Sequence, residues 1–131
     1  MFFELTLIMK RNIFILFIFL LTVACNDNTK GLIAGQWSGI ALVEEGDTLA
    51  IDPSIIQFSF DPEKSIYTYR STLNYQEAGK YYIQSKYLVT TDTTTDKAEE
   101  KSVEILNLQN DTLSLRMMDS NKERVLTLVK E

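Results

Sequence analysis

The side chains able to do chemistry in this 131-residue chain are few in kind. Histidine is missing altogether, and with it the commonest general base and the commonest transition-metal ligand. Cys25 is the single cysteine. Carboxylates are plentiful: Glu44 adjoins Glu45, Glu99 adjoins Glu100, and Asp92 and Asp96 stand four apart in Asp92-Thr-Thr-Thr-Asp96. Neighbours along a strand point to opposite faces, so the adjacent glutamates read as solvated charge rather than as an acid and base pair. Asp92 and Asp96 lack the spacing and the terminal glutamate of a calcium loop. A serine nucleophile would need Lys or a carboxylate as its base, and no such grouping stands out. Arg70, Lys80 and Lys86 either form a basic patch or are the wet face of alternating strands. The chain therefore reads as non-enzymatic, with no metal and no cofactor.

Cys25 takes its chemistry from what precedes it. Lys10 and Arg11 come before the apolar run Ile13 to Leu21, and Thr22, Val23 and Ala24 lead into the cysteine. That order is the charged, apolar and cleavage pattern of a secretory signal. The run is too short for the ~20 residues of a spanning helix. Met9 directly precedes the basic pair, and the apolar patch Met1 to Ile8 has no evident use, so translation is expected to start at Met9. The stretch Leu21-Thr-Val-Ala-Cys25 resembles the lipobox of bacterial lipoproteins, with Ala24 matching well and Thr22 standing where an aliphatic residue is usual. The resemblance implies a diacylglyceryl group on the Cys25 sulfur, cleavage before it, and acylation of the new amino terminus. Two or three chains, at ~0.8 kcal/mol per buried methylene, hold a protein on a membrane where one chain does not. Residues 1–24 are thus expected to be a removed signal, and residues 25–33 a flexible tether. Asn26 rather than aspartate follows the cysteine, and no dense acidic run comes after it. The resemblance then implies a bacterial cell envelope protein, anchored to the outer membrane and facing the periplasm.

The elements that follow must build one core. The chain carries thirteen Lys plus Arg against eighteen Asp plus Glu, a net charge of −5, and losing Glu4, Lys10 and Arg11 with the signal leaves −6. An acidic balance argues against nucleic acid as a partner. A lone cysteine allows no internal disulfide, so apolar burial and strand pairing must hold the fold. Eight strands are expected within 34–131, in short β-branched and aromatic runs between turn signals. They are Gln36 to Glu44, Ser54 to Phe60, Ser65 to Leu73, Lys80 to Gln84, Lys86 to Thr91, Lys101 to Leu108, Thr112 to Met118 and Glu123 to Lys130. A turn is expected through Gln76 to Gly79, and the break at Ser85 stays open. Asp92 to Glu100 reads as a polar loop, in which Thr95 to Lys101 could form one helical turn; no other helix is expected after Cys25. Alternation puts Ile56, Phe58 and Phe60 on one face, with Tyr67, Tyr69, Tyr81, Ile83, Leu113, Leu115, Met117, Leu126 and Leu128. Consecutive hairpins of this kind make an all-β, antiparallel, up-and-down meander barrel.

Gly35-Gln36-Trp37, at the start of the first strand, resembles the Gly-x-Trp signature of the lipocalin and calycin group. The resemblance covers Gly35 to about Glu131 and implies a small eight-stranded barrel. It also implies that Trp37 closes the barrel base against an arginine near the end of the last strand, with Arg124 the nearest match and Arg116 second. An eight-stranded interior holds side chains or one small ligand. Phe58, Phe60, Tyr67, Tyr69, Tyr81 and Tyr87 therefore either line a cavity for a small hydrophobic or amphipathic ligand or fill the core themselves. The protein is expected to be of the first kind, an anchored ligand binder, with the second as the alternative. The second makes it a filled scaffold that meets another envelope protein.

Overall fold

The computed structural model describes residues 28–131. The signal segment, Cys25 and the start of the expected tether lie outside the described residues. The chain forms helix α1 (Asn28–Ile33) and strands β1 (Gly35–Glu44), β2 (Asp47–Thr48), β3 (Gln57–Asp61), β4 (Ile66–Arg70), β5 (Gln76–Gln84), β6 (Tyr87–Asp92), β7 (Glu100–Gln109), β8 (Thr112–Asp119) and β9 (Lys122–Lys130). From β3 to β9 each strand pairs antiparallel with the next. β1 pairs with β3 on one side and with β9 on the other, from Trp37 opposite Lys130 to Glu44 opposite Arg124. That last pairing closes an eight-stranded barrel, and the two-residue β2 lies against β1 as an addition. Closure removes the open edges that would otherwise template pairing with other chains.

The expected inner face is the core. Ile56, Phe60, Tyr67, Tyr81, Leu113, Leu115, Leu126 and Leu128 are buried, and Phe58, Tyr69, Ile83 and Met117 pack against them. Two bulges keep the alternation in step, at Ile40 in β1 and Leu106 in β7. Each extra residue turns its side chain outward, which is why these two aliphatics are exposed. The β7–β8 and β8–β9 hairpins turn on Asn110-Asp111 and Ser120-Asn121, all four with positive φ. That is the type I′ geometry whose twist matches the flanking strands.

One open point is decided and two local expectations need correction. The chain does break at Ser85-Lys86, giving β5 and β6. The turn expected at Gln76 to Gly79 lies instead at Ser71 to Tyr75, and β5 runs straight through Gly79. Gly79 is there for close approach, because a Cβ at this position would sit 1.8 Å from the Thr91 carbonyl oxygen. Gly79→Ala is expected to cost ~1–3 kcal/mol by forcing β5 away from β6, read as a lowered urea midpoint. Finally, residues 28–33 are helical rather than a free tether, and Ile33 is fully buried. Asn-Thr-Lys-Gly has little helix propensity, so this turn is held by packing.

Candidate functional site

The barrel has two distinct ends. Strand direction puts α1, the start of β1 and the end of β9 at one end, the base, with the turns at 62–65, 85–86 and 110–111. The opposite end, the mouth, carries the turns at 45–46, 71–75 and 120–121 and the 93–99 loop. At the base Trp37 is 1% exposed, its indole Nε1 donates to the Ile33 carbonyl at 2.8 Å, and Lys130 Nζ lies 5.2 Å from the ring centroid. Gly35 opens β1 beside the Lys130 side chain. The cation on Trp37 is therefore Lys130, and the expectation for Arg124 is corrected. Arg124 pairs with Glu44 at 2.6 Å and Asp119 at 3.0 Å at the mouth, the far end of β9 from Trp37. Arg116 is also elsewhere, paired with Glu104 beside it on β7. The resemblance supplied a residue type, whereas the register decides which side chain reaches the ring.

Five of the six rings named above as ligand contacts come together inside. Phe58 stacks on Phe60 at 5.5 Å and tilts against Tyr69 at 4.7 Å, and Phe60 meets Tyr81 edge-on at 5.1 Å. Tyr67 stands beside Phe60 across the β3–β4 pair and is buried. Tyr87 does not join them: it is 40% exposed, because the adjacent Leu88 takes the inward position on β6. The Tyr81 hydroxyl is buried and has no hydrogen-bond partner among the described residues. Burial, with the charge of Asp61, holds its pKa above the ordinary tyrosine value.

Toward the mouth the same rows become polar. Trp37, Phe58, Tyr69 and Glu77 share one cross-strand row, which leaves the Glu77 carboxylate 8% exposed. It accepts from Tyr67 Oη at 3.0 Å, Tyr75 Oη at 3.2 Å and Lys101 Nζ at 3.3 Å. Burial together with the nearby Glu77 carboxylate pushes both phenol pKa values up, and for Lys101 the same carboxylate outweighs a burial cost and raises its pKa. This cluster was missed because 76–79 reads as a turn. Carrying the alternation of Tyr81 back by two and four residues would have found Gly79 and Glu77 facing inward.

The acid pairs are dispersed. Asp92 accepts from the Thr94 backbone N–H at 2.9 Å and its hydroxyl at 2.5 Å, which lowers its pKa. Glu44 is held by Arg124 and Lys122, while Glu45 accepts from the Glu123 N–H. Among the described residues no three Cys, Asp or Glu side chains gather as metal ligands. Hydrogen bonds from Arg124 and Arg116 hold Glu44 and Glu104 below their ordinary value of 4.5. A depressed carboxylate stabilises the fold above its unfolded pKa, and that contribution is lost as pH falls through the folded value. The urea midpoint is therefore expected to hold near neutrality and fall below about pH 4.5, with a shallower fall in a Glu44→Gln, Glu104→Gln double variant.

Three concavities open to solvent around the described residues. One of about 440 Å³ runs along β1, β3, β4 and β5, bordered by Gln36, Ser59, Thr68 and Arg70 of the outer face and also by Trp37, Phe58, Tyr69 and Glu77 of the inner row. A second of about 400 Å³ adjoins the 71–75 turn, and a third of about 340 Å³ lies between Tyr75, Lys101 and the 93–99 loop. No helix among the described residues is long and apolar enough to cross a membrane. The sequence matches no protein-family model and no curated protein. Among solved structures, a crystal structure of an uncharacterized protein from Bacteroides eggerthii is similar, with a TM-score of 0.49 and 12% identity over 72% of this chain and 98% of that one.

Proposed function

We propose that this protein is a lipid-anchored, non-catalytic module of the bacterial envelope, whose barrel interior is a filled core and whose outer surface does the binding. The carrying observation is the ladder of rings from Tyr69 through Phe58 and Phe60 to Tyr81, in contact along the interior space a guest would need. Open volumes run along β1, β3, β4 and β5 and around the mouth, the two larger bordered by the outward-facing Gln57, Arg70 and Gln76. Lipidation of Cys25 orients this arrangement. Three residues from Cys25 to Asn28 span at most ~10 Å, which keeps the barrel base near the bilayer and leaves the mouth free to meet an envelope protein. The outer membrane, on its periplasmic side, is the proposed address.

One observation favours a second reading, a hydrophobic guest in the barrel: the unpartnered Tyr81 hydroxyl could be satisfied by a polar atom of such a guest. Native mass spectrometry of protein purified from its own envelope separates the two. The expected spectrum has the mass of the chain from Cys25 with its acyl groups and no further guest. A stoichiometric hydrophobic molecule retained by delipidated Cys25→Ser protein would establish the second reading instead.

A further inference from the structure

The two larger concavities are parts of one groove. Gln57, Arg70 and Gln76 border both, because strand pairing sets them in a single row across β3, β4 and β5. Arg70 stands apart from the other arginines of the barrel. Arg116 and Arg124 are each held by a glutamate, whereas Arg70 has no carboxylate partner among the described residues. Its neighbours in the row are neutral amides, so its planar fork of donors is available to a carboxylate. Glu131 and Glu77 border the 440 Å³ part and discourage an anion there. The 400 Å³ part is bounded by Ile55, Leu73 and Tyr75, and Leu73 is 98% exposed. Leu73 and Asn74 both adopt positive φ, 59° and 57°, a strained arrangement for leucine that holds an aliphatic side chain out in water.

We propose that this groove receives the carboxyl-terminal segment of a partner polypeptide. The terminal carboxylate sits on Arg70, and an aliphatic last side chain lies against Leu73, Ile55 and Tyr75. The preceding backbone runs toward Glu131 between the Gln36, Gln57 and Gln76 amides. Charge complementarity points to this occupant: a guanidinium with no carboxylate partner among the described residues of an acidic protein, with the Glu131 carboxylate at the other end of its groove. The assignment rests on the surface-binding reading and says what that surface takes.

The test uses the mature lipoprotein in nanodiscs with ¹⁵N-labelled arginine, so that the side-chain signals of Arg70, Arg116 and Arg124 are read separately. The probe is a mixture of acetylated tetrapeptides ending in leucine, the first three positions randomised, supplied as free acids and as terminal amides. Octanoate is the third probe. The free acids are expected to move the Arg70 signal saturably, to leave Arg116 and Arg124 in place, and to bind roughly tenfold or more tighter than the amides. Arg70→Gln should erase that preference, and Leu73→Ser should weaken acids and amides alike. An unmoved Arg70 signal, equal affinity for acids and amides, or octanoate binding as tightly as the peptide acids would each overturn the proposal. The intact mass of the same sample reports lipidation and any interior guest, so failure of the filled-barrel reading is seen separately from failure at Arg70.

Discussion

Trp37→Ala is expected to destabilise the barrel by ~3–5 kcal/mol, the range for removing a large aromatic side chain from a core. Three losses coincide at this position. The ring is buried at the base among core residues that include Ile33. Its Nε1 satisfies the Ile33 carbonyl, which fastens α1 under the barrel. Its face carries Lys130, the closing residue of β9 opposite Trp37. A domain of this size has ~5–15 kcal/mol of stability in all, so the variant should sit near the edge of folding. Trp37 is the only tryptophan, so the measurement is urea unfolding followed by circular dichroism. Trp37→Phe should recover most of the apolar contribution while leaving the Ile33 carbonyl without its donor, and it should fall between the two. A near-neutral Trp37→Ala would remove the base plug from the account of stability.

The second large effect concerns location rather than folding. Cys25→Ser is expected to move the protein from the membrane pellet almost completely into the soluble fraction, with the unfolding midpoint unchanged. One acyl chain gives only marginal, reversible binding, with an association constant of roughly 10⁴ M⁻¹, whereas two or three hold firmly. The variant removes all of them by removing the acceptor sulfur. The midpoint should not move because the packed unit begins at Ile33, eight residues later. Continued sedimentation of Cys25→Ser with membranes would overturn the lipidation proposal and leave the barrel unaffected.

The two kinds of information divide along a physical line. Alternation is local, since a strand with one dry face must place apolar residues two apart. Reading that period along the chain was enough for the all-β class, the meander and the core face from Ile56 to Leu128. Where a residue breaks the period, local reading fails. Gly79 looks like a turn until the Thr91 carbonyl is seen in the place of its missing side chain, and with it went Glu77, Tyr75 and Lys101 as a cluster. The pairing of β1 with β9 joins positions some eighty or more residues apart, such as Glu44 with Arg124 and Trp37 with Lys130. Their partners follow from register around a closed sheet, to which a bulge at Ile40 contributes, and no sequence neighbour reports it. The sequence by itself determined the all-β class, the meander and most of its inner face. Only the tertiary structure decided which cation covers Trp37, that five of the proposed ligand rings pack together, and that Arg70 stands in a groove along β3 to β5 with no carboxylate partner among the described residues. Those outcomes depend on distances between strands, which periodicity along one strand does not contain.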